Sequence, residues 1–313
     1  MTAMQSSGPT SAAARRALRV TVLAGGPSAE RAVSLDSGRA VAEALRRRGH
    51  AVRLADIGPD DLSALDHAAD VVFPALHGPF GEDGQVQRIL EQRGIRFVGS
   101  GSRASALAMD KVAAKKVAAE LGVLTAEYEV VCAGQTPTLP VPVVVKPVDQ
   151  GSSVGTAIVK DPGELPAAAA AVCVEFGRAL VERFIQGDEV TVGVIDGVAL
   201  PPICIRAKRG FYDYEAKYRD ERTEYLFEAG LAPEVLARAA QQSLRLFVAM
   251  GCRHLGRVDW IVDADGRAWF LELNTIPGFT SHSLTPMAAA RAGIPFDELV
   301  ERLVYLAHEG AHG

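Results

Sequence analysis

Gly256-Arg-Val-Asp-Trp-Ile-Val-Asp-Ala-Asp-Gly-Arg-Ala-Trp-Phe-Leu-Glu-Leu-Asn-Thr275 decides how this chain folds. Two β-like runs, Arg257–Val262 and Arg267–Leu273, flank Asp265-Gly266. That dipeptide suits a two-residue type I′ turn, in which both central positions take positive φ. A hairpin with this turn sets Asp259 directly opposite Glu272 and Arg257 opposite Asn274. Residues two apart on a strand share a face, so all four project from one side. Val258, Trp260, Leu271 and Leu273 are expected on the other side, which is apolar enough to be buried. Opposed carboxylates whose Cβ atoms stand ~5 Å apart repel and weaken a sheet. A divalent cation reverses that penalty, and carboxylate and amide oxygens suit Mg²⁺ when phosphate supplies the remaining ligands. A solvated polar face is the plainer alternative, and the buried opposite face argues for metal.

A second motif lies upstream. Val143–Lys146 and Thr156–Val159 are expected strands flanking Gly151-Ser152-Ser153-Val154-Gly155. Backbone N–H groups and hydroxyls at such a hairpin tip can fold over phosphates, with Lys146 and Lys111 as sources of positive charge. An ordinary turn with solvated lysines stays open as the alternative. No G-x-x-x-x-G-K-[ST] motif exists. Gly99-x-Gly101-x-x-Ala104 fits the dinucleotide fingerprint, but that site needs an acid ending the next strand, roughly 20 residues on. Glu120 falls inside a predicted helix and Glu127 is a weak substitute, so a nicotinamide site is rejected.

Further toward the N-terminus, Leu18–Leu23 reads as a buried strand and Asp36–Arg48 as a helix stopped by Gly49. Short apolar runs follow at Ala51–Ala55, Val71–Ala75 and Ile95–Val98. This alternation predicts a parallel sheet of βαβ units ending near Gly99. Ligands of such sheets bind outside the carboxyl ends of the strands. Glu30 and Arg31, after Gly25-Gly26-Pro27-Ser28, therefore form a candidate substrate loop, with helix capping as the open alternative. The same logic applies to the segment from His77 to Gly84. Arg46-Arg47-Arg48 is expected to be a solvated helix C-terminus favoured by the helix dipole. His50 and His254 are given no role.

The rest of the chain predicts helices at Arg103–Leu121 and Leu165–Phe176, the latter holding the run Ala167–Ala171. Strands are expected at Ala179–Ile185, Val190–Ile195 and Pro202–Ile205. Lys208 to Tyr225 is polar and holds Tyr212, Tyr214, Tyr218 and Tyr225, as a lid or long functional loop would. Pro233 opens a helix with the apolar stripe Leu236, Ala240, Phe247 and Met250, closed by Gly251. Phe296–Leu306 is the last helix.

Composition narrows the function classes. The chain has 313 residues, 48% hydrophobic and 23% charged, which excludes disorder as its main state. Its length suits two or three domains of roughly 100–200 residues. Lys+Arg is 33 against Asp+Glu 38, a net charge of −5. A nucleic-acid surface needs a basic stripe instead. No run approaches the ~18 apolar residues of a membrane span. Cys132, Cys173, Cys204 and Cys252 lie far apart with no C-x-x-C pair, as for reduced thiols in a reducing compartment. Met1 to Ala17 lacks the apolar core of a secretory leader and reads as a frayed tail rather than a transit peptide. The expectation is a soluble cytoplasmic protein.

Six segments together resemble the D-alanine–D-alanine ligase branch of the ATP-grasp superfamily. They are Leu23-Ala-Gly-Gly-Pro-Ser-Ala-Glu-Arg-Ala-Val-Ser34, His77 to Gly84, Lys146-Pro-Val-Asp-Gln-Gly-Ser-Ser-Val-Gly155, Tyr212-Asp-Tyr-Glu-Ala-Lys-Tyr218, Gly256-Arg-Val-Asp259 and Glu272-Leu-Asn-Thr-Ile-Pro-Gly-Phe-Thr-Ser-His-Ser-Leu284. They stand in the family's order, and the resemblance covers the chain from Leu18 to its end. It implies an α/β (α+β) chain: an ATP-grasp fold with an N-terminal parallel-sheet pre-ATP-grasp domain. The implied divisions are a tail at 1–17, a substrate domain at 18–99, a central ATP-grasp subdomain at 100–185 and a C-terminal metal and substrate domain at 186–313.

The implied chemistry has two steps. The carboxylate of one D-alanine takes the γ-phosphoryl group of ATP, and the amine of a second D-alanine then displaces phosphate from the acylphosphate. By resemblance, Glu30 holds the first ammonium, linked through Ser152 to Tyr218, and His77 belongs to the substrate site. Lys111, Lys146 and Lys217 hold phosphates, with Ser153 in the nucleotide site and Glu189 on the ribose. Glu182, Arg183, Phe184 and Ile185 line the adenine slot. Arg183 and Phe184 depart from the Lys and Trp common in relatives, which bears on adenine packing. Asp259, Glu272 and Asn274 match the ligands of two Mg²⁺ (or Mn²⁺) ions. Arg257 and the Gly278 N–H form an oxyanion hole, and Ser283 and Leu284 receive the second carboxylate. The family's habit implies a homodimer working on D-alanine and ATP, with no nucleic-acid or membrane partner. A D-alanine–D-lactate ligase is disfavoured by the intact Tyr214-Glu-Ala-Lys-Tyr218, and a non-catalytic paralogue by the retained Arg257 and metal carboxylates.

Overall fold

The computed structural model describes residues 16–206 and 223–310. Expectations for Lys208, Tyr212, Tyr214, Lys217 and Tyr218, and for the tail before residue 16, lie outside the described residues. The first unit consists of β1 (Arg19–Ala24), α1 (Arg31–Arg47), β2 (Ala51–Asp56), β3 (Val71–Pro74) and α2 (Gln85–Gln92). Its three strands run parallel in the order β2-β1-β3. Every residue of β1 after Arg19, and all of β3, is buried, as strands covered on both faces require.

Three details of this unit differ from expectation. Ile95–Val98 forms a single bridge, Phe97 to Val72, because the chain turns away at Gly99 after one pairing. Helix α1 starts at Arg31, earlier than Asp36. Its first turn is tied by polar contacts that apolar periodicity does not display: the Ser34 hydroxyl accepts from the Gly25 N–H (2.9 Å) and donates to the Ala75 carbonyl (2.6 Å). The arginine tract is more than a solvated helix end. Arg47 pairs with Asp297 (2.7 Å) and Arg48 with Glu301 (2.5 Å), both on the last helix.

The second unit opens with two helices, α3 (Ser102–Met109) and α4 (Lys111–Glu120), where one was expected. Asp110 breaks them apart with ψ 101° and caps α4, its carboxylate accepting from the Ala113 N–H (2.9 Å). That is the N-cap preference of Asp overriding a run of good helix formers. An antiparallel sheet follows, built from β4 (Tyr128–Cys132), β5 (Val143–Pro147), β6 (Ala157–Val159) and β7 (Arg178–Arg183) in the order β4-β7-β5-β6. Helix α5 (Leu165–Phe176) packs on this sheet through Ala169, Val172 and Cys173.

The third sheet contains β8 (Gly187–Ile195), β9 (Val198–Ala199), β10 (Ile203–Arg206), β11 (Glu224–Leu226), β12 (Leu255–Asp263) and β13 (Ala268–Asn274). Their order is β11-β10-β8-β12-β13, with β9 beside β8. Helix α6 (Pro233–Ala249) covers one face, burying Val235, Ala239, Ser243, Leu246 and Phe247 rather than Leu236 and Ala240, which are only partly covered. Helices α7 (Leu284–Arg291) and α8 (Phe296–Glu309) return the chain to the first unit. There Val20 and Val22 of β1 and Leu45 of α1 share one core with Leu299 and Leu303 of α8.

The β12–β13 hairpin keeps the expected pairs by a different route. Its turn is not a two-residue type I′ turn: Asp263 pairs with Arg267, and the Gly266 N–H donates to the Asp263 carbonyl (2.9 Å). Gly266 takes φ 73°, a conformation glycine adopts without steric cost. The Asp263 carboxylate selects this longer turn by accepting from the N–H groups of Asp265 (3.0 Å) and Arg267 (2.9 Å). The one-residue offset puts Trp260 opposite Phe270, and a bulge between Asp259 and Trp260 then restores Asp259 opposite Glu272 and Arg257 opposite Asn274. Phe270 therefore takes the buried place expected for Leu271, packing edge-on against Trp260 with centroids 5.9 Å apart. Leu271 turns to the polar side.

Replacing Asp110 by Ala should lower stability by about 1 kcal/mol through loss of the α4 cap. Urea unfolding of the two proteins checks this, and an unchanged midpoint would contradict the capping role.

Candidate active site

Two cavities adjoin in the described residues. The first, about 640 Å³, lies between the second and third sheets. Lys111, Lys146, Ser153, Glu182, Arg183 and Phe184 line it from the second unit, and Ile185, Glu189, Asp259, Leu271 and Glu272 from the connection to the third sheet and the sheet itself. The second, about 450 Å³, is bounded by Glu30, His77, Glu82 and Ser152 on one side. Arg257, Glu272, Asn274, Gly278, Ser283 and Leu284 bound the other. Glu272 lines both cavities. Every described residue given a role by the family resemblance falls into one of two adjoining spaces, whereas Arg31 of the candidate substrate loop lies outside both and pairs with Asp56.

The Gly151–Gly155 loop separates them. Ser152 and Ser153 have φ of 52° and 57°, left-handed conformations that cost about 1–3 kcal/mol each and persist where surroundings enforce them. Ser152 lines the second cavity, where its hydroxyl donates to Glu30, while Ser153 lines the first. Gly155 closes the loop at φ 66°, where an added Cβ would lie 2.8 Å from Phe176 and 3.0 Å from Pro147.

Several charged side chains of the site are paired with one another. Lys111 Nζ donates to the Gln150 carbonyl (2.6 Å) and lies 3.3 Å from Glu272 Oε2. Arg257 grips Asp259 through Nε (2.9 Å) and Nη2 (2.7 Å), while Thr191 donates to Asp259 Oδ1 (2.6 Å). The opposed carboxylates therefore each face a cation. Deeper in, Glu182 bridges two lysines, with Oε2 2.5 Å from Lys146 Nζ and Oε1 2.5 Å from Lys115 Nζ. The Lys115 contact is a fully buried ion pair. Burial pushes the Glu182 carboxyl up, but Lys146 and Lys115 outweigh it and hold it at about 2. Burial also pushes the Lys115 ammonium down, with Lys146 acting in the same direction. Sequence reasoning missed Lys115, although it stands one helical turn after Lys111 on α4. Its spacing was the available signal.

On the substrate-loop side, His77 Nδ1 stands 3.3 Å from Glu82 and 3.1 Å from the Ile276 carbonyl, with Nε2 3.2 Å from the Ser37 hydroxyl. Glu82 was visible only as part of its motif. An added Cβ on Gly278 would stand 3.3 Å from the Ser283 hydroxyl, so a side chain there would crowd the cavity wall. Ser283 caps the start of α7 by position, which aims that helix's positive end toward the second cavity.

The residues suit a hard cation by donor chemistry. Asp259, Glu272 and Asn274 offer two carboxylates and an amide oxygen on one face, and the Asn274 oxygen already accepts from the Ile276 N–H (2.8 Å). No group of three or more His, Cys, Asp and Glu gathers as a metal site among the described residues. Ions taking their remaining ligands from phosphate and water need no such group. The Gly99–Ala104 motif, by contrast, is filled by protein. Glu91 accepts from the Ser102 N–H (2.8 Å), and the Gly99 N–H donates to His254 (3.1 Å). Burial, reinforced by Arg253, lowers His254 to about 4, so it stays a neutral acceptor.

Two antiparallel sheets closing on a cavity of nucleotide size, preceded by a parallel-sheet unit, define an ATP-grasp fold. Residues 59–100 match the family model described as D-ala D-ala ligase N-terminus, and 118–305 the one described as D-ala D-ala ligase C-terminus. The D-alanine–D-alanine ligase of Syntrophotalea carbinolica is 49% identical over 291 residues, covering 91% of this chain and 95% of that protein. That of Gloeobacter violaceus is 43% identical over 297 residues, covering 92% and 98%. The crystal structure of D-alanine–D-alanine ligase from Bacillus anthracis complexed with ATP superposes with a TM-score of 0.80 at 30% identity, over 94% of this chain and 98% of that one. The chain belongs to the D-alanine–D-alanine ligase family.

Because the Glu182 carboxyl falls from 4.5 to about 2 on folding, its ion pairs stabilise the protein above the unfolded value and lose that contribution as pH drops toward 2. Urea midpoints measured from pH 6 to pH 2.5 should fall across this window. Glu182→Gln should start lower at pH 6 and fall less; a parallel decline in both proteins would count against the assignment.

Proposed function

We propose that this enzyme joins two D-alanines into D-alanyl-D-alanine, consuming ATP and releasing ADP and phosphate, for peptidoglycan precursors made in the cytoplasm. The observation that carries this reading is the sharing of Glu272 by a nucleotide-sized cavity and a smaller polar one. A phosphoryl donor in the first and a carboxylate acceptor in the second would meet at that residue.

In the first cavity Lys111 and Lys146 take the phosphates, Ser153 lies over them, and Glu189 takes the ribose. Glu182, Arg183, Phe184 and Ile185 line the adenine end. Lys217, from outside the described residues, is the third phosphate lysine. Asp259, Glu272 and Asn274 would hold two Mg²⁺ (or Mn²⁺) ions, which when bound neutralise the phosphoryl charge that transfer must disperse.

In the second cavity Glu30 holds the first ammonium, kept in place by Ser152 and, beyond it, Tyr218. His77, fixed by Glu82 and Ser37, supports the same wall. The carboxylate of this D-alanine attacks the γ-phosphorus, giving an acylphosphate and ADP. The amine of the second D-alanine then attacks the acyl carbon, its carboxylate held by Ser283 and Leu284 at the α7 terminus. Arg257, its guanidinium oriented by Asp259, and the Gly278 N–H face the oxyanion of the tetrahedral intermediate. Such preorganised donors stabilise developing charge without reorganising. Collapse of that intermediate expels phosphate.

The division into 18–99, 100–185 and 186–313 is supported by each sheet's strands falling inside one segment. No described helix is long and apolar enough to cross a membrane. The homodimer rests on the family's habit alone.

Purified protein with ATP, Mg²⁺ and D-alanine should release ADP. No release, or release only when D-lactate is added, would overturn the reading. Glu272→Gln should cost about 10²–10³-fold in turnover, the scale of losing one preorganised electrostatic contact, with the circular-dichroism spectrum unchanged. Near-normal turnover would remove Glu272 from the proposed metal site.

A further inference from the structure

Lys115 is an unusual residue to find inside a protein. Its side chain is fully covered, and it does not line the nucleotide-sized cavity. Burying an ammonium is costly, and well-packed apolar side chains of similar volume are often the more stable choice. The site nonetheless provides for the charge. Lys115 Nζ donates to the Thr125 hydroxyl (2.5 Å), pairs with Glu182 Oε1 (2.5 Å) and stands 5.7 Å from the centre of the Tyr128 ring. Tyr128 pairs with Glu182 across β4 and β7. Glu182 in turn holds Lys146 with its other oxygen. Lys146 and Glu182 both line the cavity, so the chain Thr125–Lys115–Glu182–Lys146 runs from the interior to the cavity wall.

The charge count gives this chain a purpose. One carboxylate between two ammonium groups leaves a net positive charge. If Glu182 faced Lys146 alone, the pair at the cavity wall would be neutral, and its carboxylate would cancel the attraction that Lys146 offers to phosphate. We propose that Lys115 is a positioning residue: by sharing Glu182 it keeps the charge of Lys146 available to the nucleotide phosphates. This rests on the reading of the first cavity as the ATP site. Lys115 touches no substrate and acts only through Glu182.

The test is a double-mutant cycle read by ligand binding. Dissociation constants for ATP and for adenosine are measured on the full-length protein, on Lys115→Met, on Glu182→Gln and on the double variant. Lys115→Met should weaken ATP about tenfold, the scale of one charge-assisted contact, and leave adenosine within about threefold, because adenosine carries no phosphate for Lys146 to hold. In the Glu182→Gln background the same substitution should change ATP affinity by less than about threefold, since the carboxylate that Lys115 shares is gone. Equal losses for ATP and adenosine would show a purely structural role and overturn the proposal. So would equal ATP losses in both backgrounds, which would mean that Lys115 acts without Glu182. If Lys115→Met alone does not fold, the double variant buries no unpaired carboxylate, and its comparison with Glu182→Gln decides: a further ATP loss beyond about threefold overturns the proposal. Failure of the unsubstituted protein to bind ATP would overturn this inference and the nucleotide reading together, whereas ATP binding with either pattern of equal loss overturns this one alone.

Discussion

Asp259 and Glu272 stand directly opposite each other on adjacent strands. Like charges so placed weaken a sheet unless something else answers them. Much of the molecule is arranged around that constraint. Arg257, two residues from Asp259 on the same strand, answers one carboxylate, and Lys111, delivered by a helix of another unit, answers the other. The second pairing lies in the wall of the nucleotide-sized cavity, so the charge that answers Glu272 also ties α4 to the third sheet. The opposite side of the hairpin carries Val258, Trp260, Phe270 and Leu273 into a continuous core, which prevents the acidic face from turning away.

The same economy governs the second unit. Glu182 is shared by Lys115 and Lys146, and the loop serines divide their hydroxyls between two spaces.

How much of this was legible depended on the range of the forces involved. Period-two spacing and a D-G turn placed Asp259 opposite Glu272, because strand alternation is local. The path to that pairing was not legible. Two irregularities, the longer turn selected by the Asp263 side chain and the bulge at Leu271, offset each other, and only the residue exchanged between faces, Phe270 for Leu271, betrays them. Helix content was readable in the alanine-rich region, but its break was hidden by good helix formers until Asp110 was given its capping role. Strand β4 escaped because its partner β7 is remote in sequence. Lys115 escaped because a lysine in a helix is ordinarily solvated, and its spacing from Lys111 does not by itself reveal that Glu182, remote in sequence, is its partner. The family resemblance supplied what spacing could not: the proposed roles of Gly278, Ser283 and Glu189, which belong to no motif with its own chemistry.

The docking of α1 against α8 has a consequence for how the chain is made. The core of the first unit is completed by Leu299, Leu303 and Val304, and its rim by the pairs Arg47–Asp297 and Arg48–Glu301. A ribosome delivers those residues after the strands of all three sheets. The earliest strands must therefore wait, with an apolar flank uncovered, until the two later sheets and α8 have emerged. Domains usually fold as units in the order of synthesis; here the first sheet and a helix that follows all three sheets close each other's core, so the nascent protein is left exposed to aggregation or chaperone capture until that helix has emerged.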